Sequence, residues 1–413
     1  MEVRPGYRQT EVGLIPEDWQ VATVADVSDK ITVGFVGSMA HLFTRGGVPL
    51  LRGQNVLPNR LDLTDTRFVS IETHKKWKKS ALQSGDVVMV RVGYPGTSCA
   101  IPETLGVANA ASLVVVRPTT KRLSGLFLSL VMNSDFGKRQ IDSFLVGGAQ
   151  QVLNTKTAAT LKLPLPAKVE QEAIAAALSE ADALIESLEQ LLAKKRWVKQ
   201  GAMQDLLSGK TRLPGFGGEW GLRQIGQFTD CTAGGTPSTS VPQYWGGAIR
   251  WMNSGELNLR MVSEVEGRIT EEGLRNSSTK MIPANCVLIG LAGQGKTRGT
   301  VALNLLPLCT NQSIAAILPN STFAPRYLYY NLDSRYEELR ELSAGEGGRG
   351  GLNLTIIRQM TVPFPCIEEQ AAIAAILSDM DSEIGALEAQ LAKVRQLKQG
   401  MIQQLLTGRI RLV

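Results

Sequence analysis

The chain has 413 residues, of which 43% are hydrophobic and 20% are charged. At roughly 100–200 residues per domain, this length predicts two or three domains, and the apolar content excludes a disordered or collagen-like chain. Lys and Arg number 44 against 38 Asp and Glu, so the formal net charge of +6 does not by itself indicate a nucleic-acid partner.

Several kinds of segment and site are excluded by what the sequence lacks. No apolar run approaches the roughly 18 residues that a membrane helix needs, and the N-terminus has no signal-peptide pattern, so we expect a cytoplasmic protein without membrane contact. The five cysteines form no CxxC pair, and His41 and His74 are the only histidines. This composition indicates reduced thiols and no metal site.

Residues 1–167 form the first predicted domain, called domain 1 below. Short β-branched runs such as VVMVRV and LVVVRP alternate with Gly, Pro and Asn turns, and one helix is predicted around 124–140. The pattern predicts a strand-rich mixed α/β domain. With 19 basic and 13 acidic residues, this segment holds essentially all of the excess positive charge of the chain.

The densest basic cluster of domain 1 surrounds Trp77. It consists of Lys75, Lys76, Lys78 and Lys79. Basic residues interleaved with an aromatic ring suit a phosphate backbone, whereas a solvated turn with a half-buried Trp explains the same pattern equally well. The loop 146–151 offers Gln150 and Gln151, residue types that read adenine edges, although it also fits a plain connector.

The segment 168–208 is predicted to be one long helix, because its apolar residues recur at spacings of four and three. These seam positions are Ile174, Leu178, Ile185, Leu188 and Leu192. A proline-containing strand end precedes the helix and Gly209 follows it, as expected at helix boundaries. From 170 to 207 such a helix would extend about 57 Å at about 1.5 Å per residue.

Residues 209–366 form the second predicted domain, called domain 2, again strand-rich and with one helix predicted around 325–342. GLAGQGKT at 290–297 fits the P-loop pattern, but the following RGTVALNLLPL favours a strand over the required helix. A glycine-rich hairpin that presents Lys296 and Arg298 is therefore the preferred interpretation. The candidate DNA-binding arginines of the two domains are Arg91, Arg250, Arg298 and, in the loop GEGGRG, Arg349.

The segment 367–408 repeats the first long helix and leads into the tail 409–413. At an offset of 199, residues 170–213 match 369–412 with 25 identities in 44 positions. Its seam consists of Ile373, Leu377, Ile384, Leu387 and Leu391. Two equally long apolar stripes favour an antiparallel coiled coil between the helices. The alternative is that each stripe packs against its own globular neighbour.

No catalytic constellation accompanies this repeat. The sequence has no NPPY-type motif of an adenine methyltransferase, no HExxH and no GxSxG with a histidine. We therefore expect a non-catalytic chain in which one unit, a globular domain followed by a long helix, occurs twice. A P-loop nucleotide-binding protein and a coiled-coil scaffold without DNA contact remain the alternatives.

The chain resembles the specificity subunits of type I restriction–modification systems, often called HsdS. The resemblance rests on TEVGLIPEDW (10–19), LPLPAKVEQEAIAAAL (163–178), LLSGKTRLPGFGGEW (206–220), VPFPCIEEQAAIAAIL (362–377) and LLTGRIRL (405–412). It implies two target recognition domains that each read one half of a bipartite, asymmetric site in double-stranded DNA. The helices would set the spacing of the two domains. Domain 2 is less basic than this resemblance implies.

The resemblance also implies partners. Two methyltransferase (modification) subunits would dock on the chain and carry S-adenosylmethionine, and a restriction subunit would carry ATP-driven translocation. The chain itself would bind no cofactor and no metal.

Overall fold

The computed structural model describes residues 5–145, 152–293, 297–342 and 351–412. Within these ranges the chain forms ten α-helices, two of them very long. They are α1 (Ile71–Lys76), α2 (Gly125–Asn133), α3 (Asp135–Leu145), α4 (Thr155–Thr160), α5 (Lys168–Leu207), α6 (Glu271–Arg275), α7 (Pro325–Asp333), α8 (Tyr336–Leu342), α9 (Leu354–Gln359) and α10 (Ile367–Leu405).

Domain 1 is built on two sheets. The four-stranded sheet has the order Ser98–Ala100, Val87–Val90, Leu113–Pro118, Ser28–Val33, and the five-stranded sheet has the order Ala81–Leu82, Ala108–Ala110, Val48–Leu51, Arg67–Val69, Phe43–Thr44. Three further strand pairs are Tyr7–Thr10 with Gly13–Pro16, Gln20–Thr23 with Lys162–Leu165, and Val56–Leu57 with Arg60–Leu61. The continuous apolar strands VVMV and LVVV are buried on both faces, as such runs predict.

Domain 2 repeats this plan. Its five-stranded sheet has the order Cys231–Ala233, Ile314–Ile317, Val287–Gly290, Val301–Asn304, Met261–Val262, and its four-stranded sheet has the order Arg268–Ile269, Trp245–Met252, Leu308–Thr310, Met281–Ile282. Gly221–Gln224 pairs with Thr361–Phe364, as Gln20–Thr23 pairs with Lys162–Leu165 in domain 1. The internal repeat seen in the sequence is therefore a repeat of the fold, and the predicted strand-rich mixed α/β class is confirmed.

In each domain, two short helices stand where one was predicted. The first pair breaks at Ser134, whose extended backbone ends α2 before α3 begins. Gly137 permits this tight turn, because a Cβ atom there would lie 2.4 Å from the carbonyl oxygens of Val131 and Met132. The second pair, α7 and α8, breaks between Asp333 and Tyr336. The prediction of single helices was wrong because the amphipathic pattern continues across both turns.

The chain divides into two compact units, Met1–Leu188 with Gln390–Val413, and Glu189–Ala389. Each unit holds one globular domain, the beginning of the long helix that follows it and the end of the other long helix. The boundary between the units divides both long helices. The two domains and two helices predicted from the sequence therefore describe the order of segments along the chain, not the compact units.

Within each unit the two long helices run antiparallel. In the second unit, Lys195 pairs with Glu383 at 2.6 Å and Lys199 pairs with Asp381 at 2.5 Å, so positions that advance along α5 meet positions that retreat along α10. In the first unit, Lys398 pairs with Asp182. This pair is the copy of Lys199–Asp381 at the repeat offset of 199, and the predicted antiparallel pairing is confirmed.

The apolar seam has two parts with different surroundings. Ile174 and Leu178 are fully buried in the core of domain 1, and Ile373 and Leu377 are fully buried in the core of domain 2. The interpretation that each stripe packs on its own globular neighbour is therefore correct for the first turns. Farther along the helices the seam positions Leu188, Leu192, Ile384 and Leu391 are buried, whereas Ile185 and Leu387 are half-buried.

A buried glutamate near the start of α5 ties both ends of the first unit together. Glu170 is completely buried, and its carboxylate accepts hydrogen bonds from the indole of Trp19 (3.1 Å) and the guanidinium of Arg411 (2.8 Å). Arg411 also donates to Asp18 at 2.8 and 3.0 Å. We call Asp18, Trp19, Glu170 and Arg411 the first anchor. Both carboxylates raise the pKa of Arg411 above its ordinary value, with Glu170 contributing most.

The second unit contains the same arrangement at the repeat offset. Glu369 is buried and accepts from Arg212 in a bidentate pair (2.8 and 2.8 Å) and from the indole of Trp220 (3.0 Å). We call these three residues the second anchor. Arg212 also donates to the backbone carbonyls of Gly217 and Gly218, where Arg411 in the first anchor donates to the carboxylate of Asp18. The hydrogen bonds from Arg212 hold the pKa of Glu369 below its usual range.

A glutamine beside each anchor fastens a domain helix to a long helix. Gln171 is buried and accepts from the backbone N–H of Ser124 (2.9 Å), the residue that caps α2. Gln370 accepts in the same way from Ala324, which precedes α7. Each glutamine also donates to the carbonyl of the proline five residues before it. The start of each long helix is thus part of its globular domain.

The two parts of the seam predict that alanine substitution at two nearby leucines of α5 lowers the unfolding free energy by unequal amounts. Leu178→Ala removes a fully buried side chain and is expected to cost about 2–5 kcal/mol of unfolding free energy. Leu184→Ala, at a position that is 46% exposed, is expected to cost no more than about 0.5 kcal/mol. Urea unfolding followed by far-UV circular dichroism measures both. Equal losses would contradict the assignment of Leu178 to the core.

The second anchor predicts a pH-dependent contribution to stability. Because Arg212 lowers the pKa of Glu369 in the folded chain from its ordinary 4.5, the pair stabilises above that pH and loses this effect as the pH falls through the folded pKa. Arg212→Gln should therefore lower the thermal unfolding midpoint most at neutral pH, with a difference that shrinks toward pH 3. Lys210→Gln, which removes an exposed pair with Asp205, serves as the control and should change little. If Arg212→Gln lowered the thermal unfolding midpoint equally at all pH values, this account would be contradicted.

Candidate nucleic-acid interface

The four lysines around Trp77 lie on a short helix and the turn that follows it. The side chain of Ser70 caps α1 by accepting from the backbone N–H of Thr73 at 3.1 Å, and a 3-10 turn spans Lys78–Ser80. All four lysine side chains are exposed, and Trp77 is half-buried. This is the solvated turn with a half-buried Trp that was one of the two sequence interpretations, and contact of the lysines with a phosphate backbone stays a prediction.

A ring stack and two hydrogen bonds brace the residues beneath these lysines. The ring of Trp77 stacks on Phe35, with 3.8 Å between ring centroids and 13° between ring planes. The carbonyl of Trp77 accepts hydrogen bonds from the Ser80 hydroxyl (2.9 Å) and from the amide of the buried Asn109 (3.3 Å). The lysines therefore project from a fixed platform.

A cavity of about 510 Å³ opens beside this platform. Its walls comprise Val33, Gly34, Phe35, Trp77, Ser80 and the four lysines, and we call it the lysine pocket. Lys76 pairs with Glu72 at 2.7 Å, but both side chains are more than 70% exposed, so the pair holds the lysine weakly. Among the described residues, Lys75, Lys78 and Lys79 have no acidic partner within ion-pair distance. The pocket is therefore strongly positive.

Arg91 has a structural contact in addition to its predicted role. Its Nε donates to the carbonyl of Leu153 at 3.2 Å, and the Arg91 carbonyl accepts from the Leu153 N–H at 2.9 Å. Arg91 thus fixes Leu153, near the start of the described range 152–293.

Arg250 and Arg298 lie in domain 2 with different surroundings. Arg250, on the strand Trp245–Met252, shares the carboxylate of Glu264 with Arg268. Arg298 is half-buried, and its Nε is enclosed without a hydrogen-bond partner among the described residues. Of these two arginines, Arg298 is thus the one without an acidic partner in the described part of the chain.

The P-loop interpretation fails in domain 2. The strand Val287–Gly290 pairs antiparallel with Val301–Asn304, so the segment between them is a hairpin connection. Thr297–Gly299 form a turn and lead directly into the second strand, where a P-loop would continue into a helix. The antiparallel pairing of the two strands agrees with the hairpin favoured by the sequence, whereas Lys296, which that hairpin was expected to present, lies outside the described residues.

Four candidates, Gln150, Gln151, Lys296 and Arg349, lie outside the described residues. The DNA-contact role of every candidate stays a prediction. Sequence reasoning missed Phe35 and Asn109, which build the platform under the lysines, since neither is close to them in sequence. It also missed the two anchors, although Glu170/Glu369 and Arg212/Arg411 are identical pairs in the repeat alignment.

The described ranges contain neither a candidate metal site nor a candidate membrane-spanning helix. No group of three or more His, Cys, Asp or Glu side chains is arranged there to hold a metal ion. None of the helices in those ranges has the length and apolar character needed to span a membrane.

Comparison with known proteins identifies the repeated unit. The family model "Type I restriction modification DNA specificity domain" matches residues 16–194 and again residues 217–396. The chain belongs to this family. Each match comprises one globular domain and most of the long helix that follows it, which is the unit that the repeat delimits.

Relatives in this family are similar over different lengths. The chain is 22% identical to a putative type I restriction enzyme MjaX specificity subunit of Methanocaldococcus jannaschii, over 98% of this chain and 96% of the relative. It is 28% identical to the EcoR124I/EcoR124II specificity subunit of Escherichia coli, over 44% of this chain and 45% of the relative. The fold is similar to the crystal structure of a type I restriction–modification S subunit from M. genitalium, with a TM-score of 0.62, 14% identity and 98% of both chains covered.

Proposed function

We propose that this chain is the DNA sequence-recognition subunit of a type I restriction–modification complex. The observation that carries the proposal is the double match to the specificity domain within one chain. Each globular domain would read one half of a bipartite, asymmetric DNA site. The two domains differ in net charge, since domain 1 holds nearly all of the excess positive charge of the chain.

The long helices are proposed to set the spacing between the half sites. Antiparallel ion pairs and the two anchors in the separate units support this role, because they fix the ends of each helix to a globular domain. The helices would also provide the docking surface for two methyltransferase subunits. Trp197 on α5 is 75% exposed, and an exposed Trp is the kind of side chain that dominates protein interfaces.

Catalysis is proposed to reside in the partner subunits. The methyltransferase subunits would bind S-adenosylmethionine and modify adenine, and a restriction subunit would bind ATP and translocate DNA in the cytoplasm. This chain would then need no cofactor. The family match favours this function over a scaffold that does not contact DNA.

Co-expression with the methyltransferase subunits tests the proposal. We expect the subunits to co-purify with this chain, and adenine methylation to occur at one split sequence motif, because the chain would direct the enzyme to DNA. The measurement is genome-wide mapping of methylated adenines, with cells that lack this chain as the control. Methylation that is the same with and without the chain would contradict the proposal.

A further inference from the structure

We propose that the lysine pocket binds the sugar–phosphate backbone of duplex DNA irrespective of sequence, and that domain 2 has no corresponding backbone anchor. The proposal rests on the proposed function, and it assigns unequal tasks to the two domains. Domain 1 would supply most of the electrostatic attraction to DNA. Domain 2 would depend on that attraction and contribute chiefly discrimination between sequences.

The two domains can be compared position by position around the pocket. The strands Ala81–Leu82 and Val87–Val90 of domain 1 have counterparts at Met281–Ile282 and Val287–Gly290 of domain 2, an offset of 200 residues. The helices α1 and α6 follow the same offset. The turn with the lysines therefore has a defined counterpart in domain 2.

At that counterpart the basic and aromatic side chains are replaced. Lys76, Trp77, Lys78 and Lys79 correspond to Asn276, Ser277, Ser278 and Thr279, and Lys75 corresponds to Arg275. Residues 71–80 contain four lysines and one glutamate, whereas residues 271–280 contain two basic and two acidic residues. The local charge is thus +3 in domain 1 and zero in domain 2.

The turn that corresponds to the lysine turn packs directly against the neighbouring backbone in the described part of domain 2. Gly34 and Gly234 are equivalent, since a Cβ atom on either would collide with a carbonyl oxygen of a neighbouring strand, Ala110 or Thr310. The next residue is Phe35 in domain 1 and Gly235 in domain 2. A Cβ atom on Gly235 would lie 2.3 Å from the Ser278 hydroxyl oxygen, so Ser278 lies directly against Gly235, whereas in domain 1 the ring of Phe35 stacks on Trp77.

The chemistry of the pocket suits phosphates rather than base edges. Lysine ammonium groups are compact point charges on flexible stems, and they lack the planar fork that reads guanine. The rings of Phe35 and Trp77 stack on each other and so brace the lysines. Every phosphate neutralised adds about 0.9 to the slope of log affinity against log salt concentration. The pocket should therefore appear as salt dependence that is the same for all sequences.

The test uses the full-length chain and a duplex of unrelated sequence as the probe, titrated by fluorescence anisotropy at several KCl concentrations. Changing all four lysines, K75Q/K76Q/K78Q/K79Q, should flatten the salt slope by about 3 and weaken binding at least about tenfold at 0.1 M salt. The charge-retaining variant K75R/K76R/K78R/K79R should keep the slope of the unaltered chain. Loss of the slope in the arginine variant, which retains all four charges, would overturn the proposal, because the slope would then not depend on the positive charge of the pocket.

Two matched double variants test the asymmetry. K75Q/K79Q removes two exposed charges from domain 1, and R275Q/K280Q removes two exposed charges from the counterpart in domain 2. The first should flatten the slope by about 2 and the second by less than about 0.5. Equal flattening, or no flattening by K75Q/K79Q, would overturn the proposal.

Failure of the lysine-pocket proposal can be distinguished from failure of the proposed function. If the unaltered chain directs adenine methylation to a split motif but the lysine variants keep its salt slope, the pocket assignment fails alone. If the unaltered chain directs no methylation, the proposed function fails. The quadruple glutamine variant should direct methylation to the same motif as the unaltered chain, at a lower level, and a changed motif would overturn the sequence-independent role.

Discussion

A buried carboxylate that must be met by a distant arginine is the constraint on which the structure depends. Glu170 and Glu369 are enclosed at the starts of the long helices, and an unpaired charge there would be strongly destabilising. Their partners, Arg411 and Arg212, are 241 and 157 residues away in the sequence. Each arginine follows the end of the other long helix. Each globular domain is therefore complete only when both helices contribute to its unit.

This constraint separates a repeated frame from variable surfaces. The anchors, the glutamines beside them and the paired strands recur at offsets of 199–201 residues. They recur because each copy must pair a buried glutamate at the start of one long helix with an arginine that follows the end of the other. The exposed turns carry no such restriction. At one of them, domain 1 has the lysine pocket and domain 2 has a glycine packed under a serine. A duplicated frame with divergent surfaces suits two readers of different half sites.

The sequence predicted the features that arise from local pattern. The four-three spacing of seam residues such as Leu178 and Leu377 indicated the long helices, and the 199-residue repeat indicated their equivalence. Features that join distant residues were not predictable, and the Phe35–Trp77 stack and the bond from Arg411 to Glu170 are of this kind. The break at Ser134 was missed because a backbone turn, rather than a change in hydrophobic pattern, ends α2.

The central claim, that each globular domain reads its own half of the DNA site, is tested most directly by a chain with two copies of domain 2. The equivalent strand pairs place the junctions, with residues 221–364 replacing 20–165. Methylated adenines are then mapped in cells that express this chain with the methyltransferase subunits. We predict a symmetric motif in which the half site of domain 2 occurs twice and the other half is lost. Persistence of the half site assigned to domain 1 would contradict the account.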